Sequence, residues 1–345
     1  ANLMLMRSNI GKKGAGICPL RGHSNVQGDR TVGITEIPNQ ALLDGIERTF
    51  GFTPPTKHGH GAVATIRAMH EGKAKALFCL GGNLPVAMPE PETCFEGMRK
   101  LDLAVHMATK LNRSHLAVAK HTYLFPVIGR TERDTQLSGD QSVTVEDSMS
   151  MVHASRGSLE PASPHLKSEP ALVAALAKAS LPNTVVPWDK LVSDYHFIRD
   201  AIESVFPAFK DFNKRIMNHG GFRLYNAASE RKWNTPSGKA NFIVMHGINE
   251  DPRSAQGHDL VLTTLRSHDQ YNTTLYGMND RYRGVTGRRD VLFINADEAE
   301  SRRLRVGDKV NVVALAPDGT PTARRMDNLT VVVHDMAPGS VATYY

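Results

Sequence analysis

The densest chemistry in the sequence lies near its start, where residues 9–31 read NIGKKGAGICPLRGHSNVQGDRT. Gly11, Gly14, Gly16, Gly22 and Gly28 punctuate this stretch; between them stand Cys18, Arg21, His23, Asn25 and Gln27, and Arg30 follows the last. Glycines let a backbone approach a ligand closely, while guanidinium, imidazole and amide groups satisfy its polar edge. No G-K-[ST] closes the stretch and no G-x-G-x-x-G opens a helix in it, so it is neither a Walker loop nor a dinucleotide fingerprint.

Four smaller groups join it. Gly81-Gly82-Asn83 follows an apolar run, where a glycine turn admits a phosphate or a ring, or is a plain left-handed turn. His58 and His60 stand at i, i+2, a spacing that suits packing or capping better than metal ligation. Arg266, Ser267, His268, Asp269, Gln270, Tyr271 and Asn272 crowd together just after a predicted strand, as a binding mouth or a solvated loop would. Residues 130–134, RTERD, read as a charged turn with surface ion pairs. No Ser-His-Asp or Cys-His order stands out, so a bound cofactor is the expected agent of any chemistry.

The elements that must position these groups alternate in the first half. NQALLDGIERTFGF puts Leu42, Ile46 and Phe50 on one helical face, and Val63, Ile66 and Met69 lie on a second helix. A strand over 74–80 runs into Gly81, a helix starts near Pro91, and LDLAVHM forms the next strand. Strand, helix, strand with apolar strands predicts a parallel sheet covered on both faces, which binds ligands beyond its carboxyl ends. SEPALVAALAKAS is a helix with Ser168 as N-cap and Pro170 in the first turn. Helical pattern at Tyr195, Ile198, Ile202 and Val205 breaks at Pro207, and a loop-rich connector follows. Beyond His258, strands surround one short helix, DEAESRRL, as in a small barrel.

Composition sets the frame. The 345 residues are 41% hydrophobic and 22% charged, values of a globular chain of two or three domains rather than a disordered one. The net charge of +6 is spread without a basic stripe or interleaved aromatics, which excludes a nucleic-acid module. Cys18, Cys79 and Cys94 form no C-x-x-C, and so sparse and odd a set suits a reducing, cytoplasmic setting. No apolar run is long enough for a membrane span. The chain opens ANLMLMRSNIG and stops at GSVATYY, so a piece of a longer protein is expected.

Taken together, the motifs resemble the bis-molybdopterin guanine dinucleotide oxidoreductases (the DMSO reductase superfamily), in their formate dehydrogenase alpha-subunit-like branch. N-I-G-x-x-G-x-G-x-x-P-L-R-G-x-x-N-V-Q-G resembles that family's loop. LFCLGGNLP, VHMATKLNRSH, NTPSGKANF with LTTLRSHDQYNTTLYG, and FINADEAESRRLRVGDKVNVVA follow in the family's order. The similarity runs along essentially the whole chain. His23-Ser24 and Asp29-Arg30 depart from the true formate dehydrogenases, which points away from formate itself as the substrate.

The resemblance implies parallel-sheet, Rossmann-like cofactor domains followed by a carboxy-terminal double-psi β-barrel. Residues 1–30 would end one α/β domain and cross between domains. Residues 31–190 would form an α/β domain binding a pterin dinucleotide, 191–257 a helical and loop connector, and 258–345 the barrel, truncated at its C-terminus. Two pterin guanine dinucleotides would hold one molybdenum or tungsten. The protein ligand and any iron–sulfur cysteines would lie upstream, with no metal ligand in this stretch. Arg21 would face metal and substrate and His23 would shuttle a proton. Gly22, Asn25 and Gln27 would contact the pterin, Gly81, Gly82 and Asn83 would admit a guanosine end, and Thr109 and Lys110 would hold its polar or phosphate groups. Arg266, Gln270, Asn272 and Tyr344 would meet the cofactor from the barrel. The implied activity is two-electron redox chemistry on a small-molecule substrate, anions included, with an electron partner of unknown identity. The alternatives are another substrate on the same fold, such as nitrate, or a non-catalytic electron-transfer or scaffold subunit.

Overall fold

In a computed structural model the described residues are 1–20, 22–23, 25–244, 247, 260–273, 275–316 and 318–345. The chain falls into two compact units, Ala1–Phe242 and Ile243–Tyr345.

The first unit opens with α1 (Asn2–Met6), α2 (Val26–Thr31), α3 (Gln40–Phe50) and α4 (Ala62–His70). It continues with β1 (Ala76–Leu80), α5 (Leu84–Ala87), α6 (Pro91–Arg99), β2 (Leu103–Ala108) and β3 (His121–Pro126). β1, β2 and β3 form an all-parallel sheet with β2 in the centre. The even-numbered residues of β2 face α4 and α6, where Ala104 packs with Ile66, Met69, Cys94, Phe95, Met98 and Leu101. The odd-numbered residues face the other way, and Val105 and Met107 pack with Leu172 and Leu176.

Those two leucines belong to α7 (Glu169–Ser180), which starts as its sequence dictates: the Ser168 hydroxyl accepts the Ala171 N–H and Pro170 occupies the first turn. α7 corrects the expectation of a sheet covered on both faces. It shields β2 but leaves the flanking strands open, with Phe78, Leu80, Tyr123 and Phe125 each more than two-fifths exposed.

Between β3 and α7 lie β4 (Thr135–Gln136), β5 (Gly139–Asp140), β6 (Val143–Glu146) and β7 (Met151–Ser155). α8 (Trp188–Ser193), α9 (Tyr195–Val205), α10 (Phe212–Arg215) and β8 (Phe222–Arg223) follow α7. β6, β7 and β8 make an antiparallel sheet, and an aromatic cluster of Phe209, Phe212 and Phe222 packs with Val152.

The RTERD turn is more than a surface patch. Arg133 does pair with Glu160 at 2.9 Å, but Asp134 accepts the Tyr195 phenol at 2.5 Å across 61 residues of sequence. Tyr195, which opens α9, is 3% exposed and also bonds the Ser168 hydroxyl at 2.8 Å. This polar junction ties the turn, α7 and α9 together.

The second unit contains β9 (Val261–Leu265), β10 (Gln270–Tyr271), β11 (Leu275–Tyr276), β12 (Val291–Ile294), α11 (Ala296–Ser301), β13 (Lys309–Leu315), β14 (Pro321–Val333) and β15 (Ser340–Tyr344). Five of these strands form a mixed sheet in the order β13-β14-β12-β15-β9. β12 runs parallel to β14 and antiparallel to β15, and β15 runs parallel to β9. Alternate residues of β12 and β15 supply two cores: Leu292, Ile294 and Val341 on one side, Val291, Phe293, Ala342 and Tyr344 on the other.

Candidate functional site

The parallel sheet of the first unit ends in two loops, and side chains stitch them together. After β1, Gly81 and Gly82 take φ of 67° and 79°, the left-handed conformation that favours glycine. A Cβ at Gly82 would meet nothing within 4 Å, so the space beside this turn is open. The loop after β2 reaches across: the Asn112 amide donates to the Gly82 carbonyl at 3.0 Å, and the Ser114 hydroxyl donates to Asn83 Oδ1 at 2.9 Å. Asn112 is in turn fixed by a capping box on the 3-10 turn Arg113–Leu116. Its Oδ1 accepts the Ser114 N–H at 2.9 Å, while its own N–H donates to His115 Nδ1 at 3.1 Å. Thr109 and Lys110 stand exposed on the same loop.

Two groups at this sheet end were not singled out from sequence. Glu169, the first residue of α7, brings Oε1 to 3.9 Å from where a Gly81 Cβ would be. Burial, and then the charge of Asp29, pushes its carboxyl above the ordinary glutamate value. His106, on the central strand, is 2% exposed and its Nε2 has no hydrogen-bond partner among the described residues. Its ring meets that of His115 edge-on, with centroids 5.0 Å apart. Two histidines within VHMATKLNRSH were the available signal for this pair.

The glycine-punctuated stretch docks on β6. Glu146 N–H donates to Asn25 Oδ1 at 2.9 Å, and the Gln27 amide donates to Glu146 Oε1 at 2.5 Å and to Ser150 Oγ at 3.2 Å. These two amides therefore fasten α2 to the β6–β7 hairpin. Gly22, His23 and Gln27 line an open groove with Val26, Arg30 and Thr31. Arg21 and Ser24 lie outside the described residues. Deeper in the unit, Asn25, Asp29, Glu146, Tyr195 and Arg199 contribute to a largely apolar cavity of ≈ 210 Å³.

In the second unit the structure brings the four expected residues into one network. Arg266 donates to Asn272 Oδ1 at 2.6 Å and to the Tyr345 hydroxyl at 3.1 Å. Gln270 Oε1 accepts from Arg289 at 2.7 Å, and its amide donates to the Asn272 carbonyl at 3.0 Å. The Arg289 guanidinium lies over the rings of Tyr276 and Tyr344. Asp280, 1% exposed, anchors the network by accepting from Arg283 at 2.6 Å, His268 at 2.9 Å and Tyr344 at 2.9 Å. Burial alone would raise this carboxyl, but the donors bring it down to about 2. Asp280 and Arg289 were likewise missed: Asp280 stands 12 residues past His268 but its Tyr344 donor lies 64 further on, and Arg289 lies 19 residues past the Gln270 that it braces.

Elsewhere, His58 and His60 are exposed, and neither caps α4, whose N-cap Gly61 makes no side-chain bond. Cys18 is exposed, Cys79 half-buried and Cys94 buried, all as free thiols. Among the described residues no three His, Cys, Asp or Glu side chains converge as a metal site. No described helix is long and apolar enough to cross a membrane.

No family model matches the sequence. The chain is 59% identical over 344 residues to Protein YdeP of Escherichia coli (strain K12), covering all of this chain and 45% of that protein. It is 45% identical over 350 residues to Uncharacterized oxidoreductase Rv2900c of Mycobacterium tuberculosis (strain ATCC 25618 / H37Rv), covering all of this chain and 44% of that one. The chain thus spans about half the length of the curated relatives it matches, and they include proteins named as oxidoreductases. Among solved structures, acetylene hydratase from Pelobacter acetylenicus overlays at a TM-score of 0.44 with 18% identity, over 88% of this chain and 42% of that one. So loose an overlay assigns neither fold nor function.

Proposed function

We propose that this chain is the cofactor-binding portion of a molybdopterin-dependent oxidoreductase of the formate dehydrogenase-like kind, with its second unit a double-psi barrel. The observation that carries the reading is the stitched pair of loops at the end of the parallel sheet. Its glycine turn opens onto free space, exposed Thr109 and Lys110 stand on the loop stitched to it, and the Glu169 carboxylate lies beside Gly81. The donor set fits a pterin guanine dinucleotide. Lys110 and the Thr109 hydroxyl suit phosphate oxygens, and a carboxylate suits the paired N–H donors of a guanine edge. The arginines around Gln270 suit a pyrophosphate or the mixed donor–acceptor edge of a pterin. The ordered motifs, and the 45% identity over this chain and 44% of the length of a protein named as an oxidoreductase, support the same conclusion.

When bound, such a group supplies a metal centre that exchanges two electrons with substrate. This chain's own residues bind and orient it. Gly81 and Gly82 leave room for the nucleotide, and Asn112 and Ser114 keep their turn in place. The Asp280 network keeps Arg266, Gln270 and Asn272 in one arrangement. Arg21 is assigned to the substrate and His23 to proton transfer on the strength of the loop motif. A small anion other than formate is the substrate class that a forked guanidinium at position 21 would hold.

The test is to purify the intact protein from a host that makes the cofactor, then measure molybdenum, tungsten and the GMP released by acid hydrolysis. Metal with about two GMP per metal is expected. Protein carrying neither would overturn the reading.

A further inference from the structure

We propose that His115 is a positioning residue for the nucleotide turn: its neutral imidazole accepts the Asn112 N–H and so locks the loop after β2 onto Gly81-Gly82-Asn83. The inference rests on the reading of this turn as a nucleotide site, and it adds a proton-dependent lock to that site.

Hydrogen-bond direction carries the argument. Asn112 N–H donates to His115 Nδ1, so Nδ1 must offer a lone pair and the ring proton must sit on Nε2. An imidazolium has N–H on both nitrogens and cannot accept. Protonation would therefore set two N–H groups against each other and open the capping box. Asn112 is the residue whose side chain reaches Gly82, and Ser114, fixed by the same box, reaches Asn83. Opening the box thus loosens both cross-links from the second loop to the first.

Burial of the His115 ring favours its neutral form and keeps the lock closed at neutral pH. His106 lies under His115, and its buried Nε2 has no hydrogen-bond partner among the described residues, so a charge on its ring would be desolvated and would face the His115 ring at 5.0 Å. Burial pushes the basicity of both rings below the ordinary histidine range, and His115 lowers that of His106 further.

Among the described residues no acid pairs with either ring, and the charge of Glu90, at the start of α6, falls on Cys94. Beside His106, β1 presents Cys79, a thiol kept neutral by burial, and β3 presents Leu124. α5 carries no ionisable residue. Arg113 on the 3-10 turn and Arg99 on α6 lie over the Phe95 ring, and both are cations. Of the acids on α6, Glu96 pairs with His70 and Glu92 is exposed.

The decisive variant is His115→Gln. Glutamine is the natural partner at this position of a capping box, and it accepts the same N–H without titrating. The intact protein, its H115Q form and its H115L form are gel-filtered at about pH 7.5 and at about pH 5, on either side of the ordinary histidine value. Retained GMP and hydrogen exchange of residues 109–115 are then read, with exchange corrected for its intrinsic pH dependence. The wild type is expected to keep its nucleotide at the higher pH and to lose it at the lower, with exchange in the loop rising about ten-fold. H115Q should keep both at either pH, and H115L should lose both at either pH. Loop protection in H115L equal to wild type, or acid release from H115Q equal to wild type, overturns the proposal. Wild-type protein that holds no GMP at any pH defeats the nucleotide reading instead. The exchange data still judge the lock in that case, because the capping box closes without a ligand.

Discussion

Tyr344, the last residue of β15, donates its phenol to the buried carboxylate of Asp280 at 2.9 Å, closing a network that also holds His268 and Arg283. The bond joins the final strand to the turn before β12, and through His268 it reaches the loop of Arg266 and Gln270. Burial, and then the Asp280 carboxylate, push the phenol up to about 12.

Asp280→Ala should destabilise the second unit by about 3 kcal/mol, since it leaves Arg283 and the Tyr344 hydroxyl without their acceptor. Tyr344→Phe removes one donor of three and should cost about 1–2 kcal/mol. The pH dependence has a fixed sign. The folded carboxyl titrates at about 2, below the ordinary 3.8, so its contribution is present above about pH 4 and disappears as pH falls through 2. Urea unfolding between about pH 6 and pH 2 reads this directly. A D280A protein whose stability tracked wild type across that range would contradict the network's role.

Gly82→Ala separates folding from binding. At φ 79° an alanine is strained by roughly 1 kcal/mol, yet its Cβ meets no atom within 4 Å, so the fold should persist. The methyl would instead enter the open space assigned to the nucleotide. Thermal unfolding should shift by only a few degrees, while retained GMP should fall several-fold. Unchanged GMP content would remove Gly82 from the site.

Local signals in the sequence were readable and non-local ones were not. The Ser168 cap and Pro170 fix the start of α7 within one turn of chain, so the pattern alone locates that helix. β1 and β2 are continuous apolar runs ending at polar turns, and both form where read. β3 and the β6–β7 hairpin escaped notice because their residues are mixed in polarity and their stability comes from partners across the sheet. Asp134 looked like one charge in an exposed turn, since nothing local reveals that Tyr195 donates to it. The same holds for Asp280 and Arg289. A residue's type could be read, but the partner that makes it structural lies far along the chain.

That junction gives a third test. Tyr195→Phe removes the phenol from between Asp134 and Ser168 and leaves the carboxylate to the Gln136 amide. A lost hydrogen bond to a half-buried carboxylate should cost about 1–2 kcal/mol. The loss should appear as proteolytic nicking near residues 130–141 before global unfolding, because the turn loses its tether to α9. Limited proteolysis of the variant beside wild type decides it, and identical nicking patterns would mean that the tether carries no stability.

Glu169→Gln should improve stability and impair binding at once. Burial, followed by the nearby charge of Asp29, raises this carboxyl above the ordinary 4.5, so the folded state disfavours its ionised form. For an acid shifted upward the penalty is absent below the ordinary value, grows as pH rises through the folded value, and is constant above it. A neutral amide removes that penalty. At neutral pH the variant should gain a few tenths of a kcal/mol, a figure reduced for the solvent reaching a half-buried group. The gain should vanish below about pH 4. If Glu169 reads the N–H edge of a guanine, the same change replaces an ionised acceptor with a weaker one, and retained GMP should fall about ten-fold. Such a trade is typical of residues kept for function rather than for folding. Paired denaturation curves and GMP release on wild type and E169Q test both halves. A variant more stable and equally loaded would leave Glu169 as a helix-terminal acid with no part in the site.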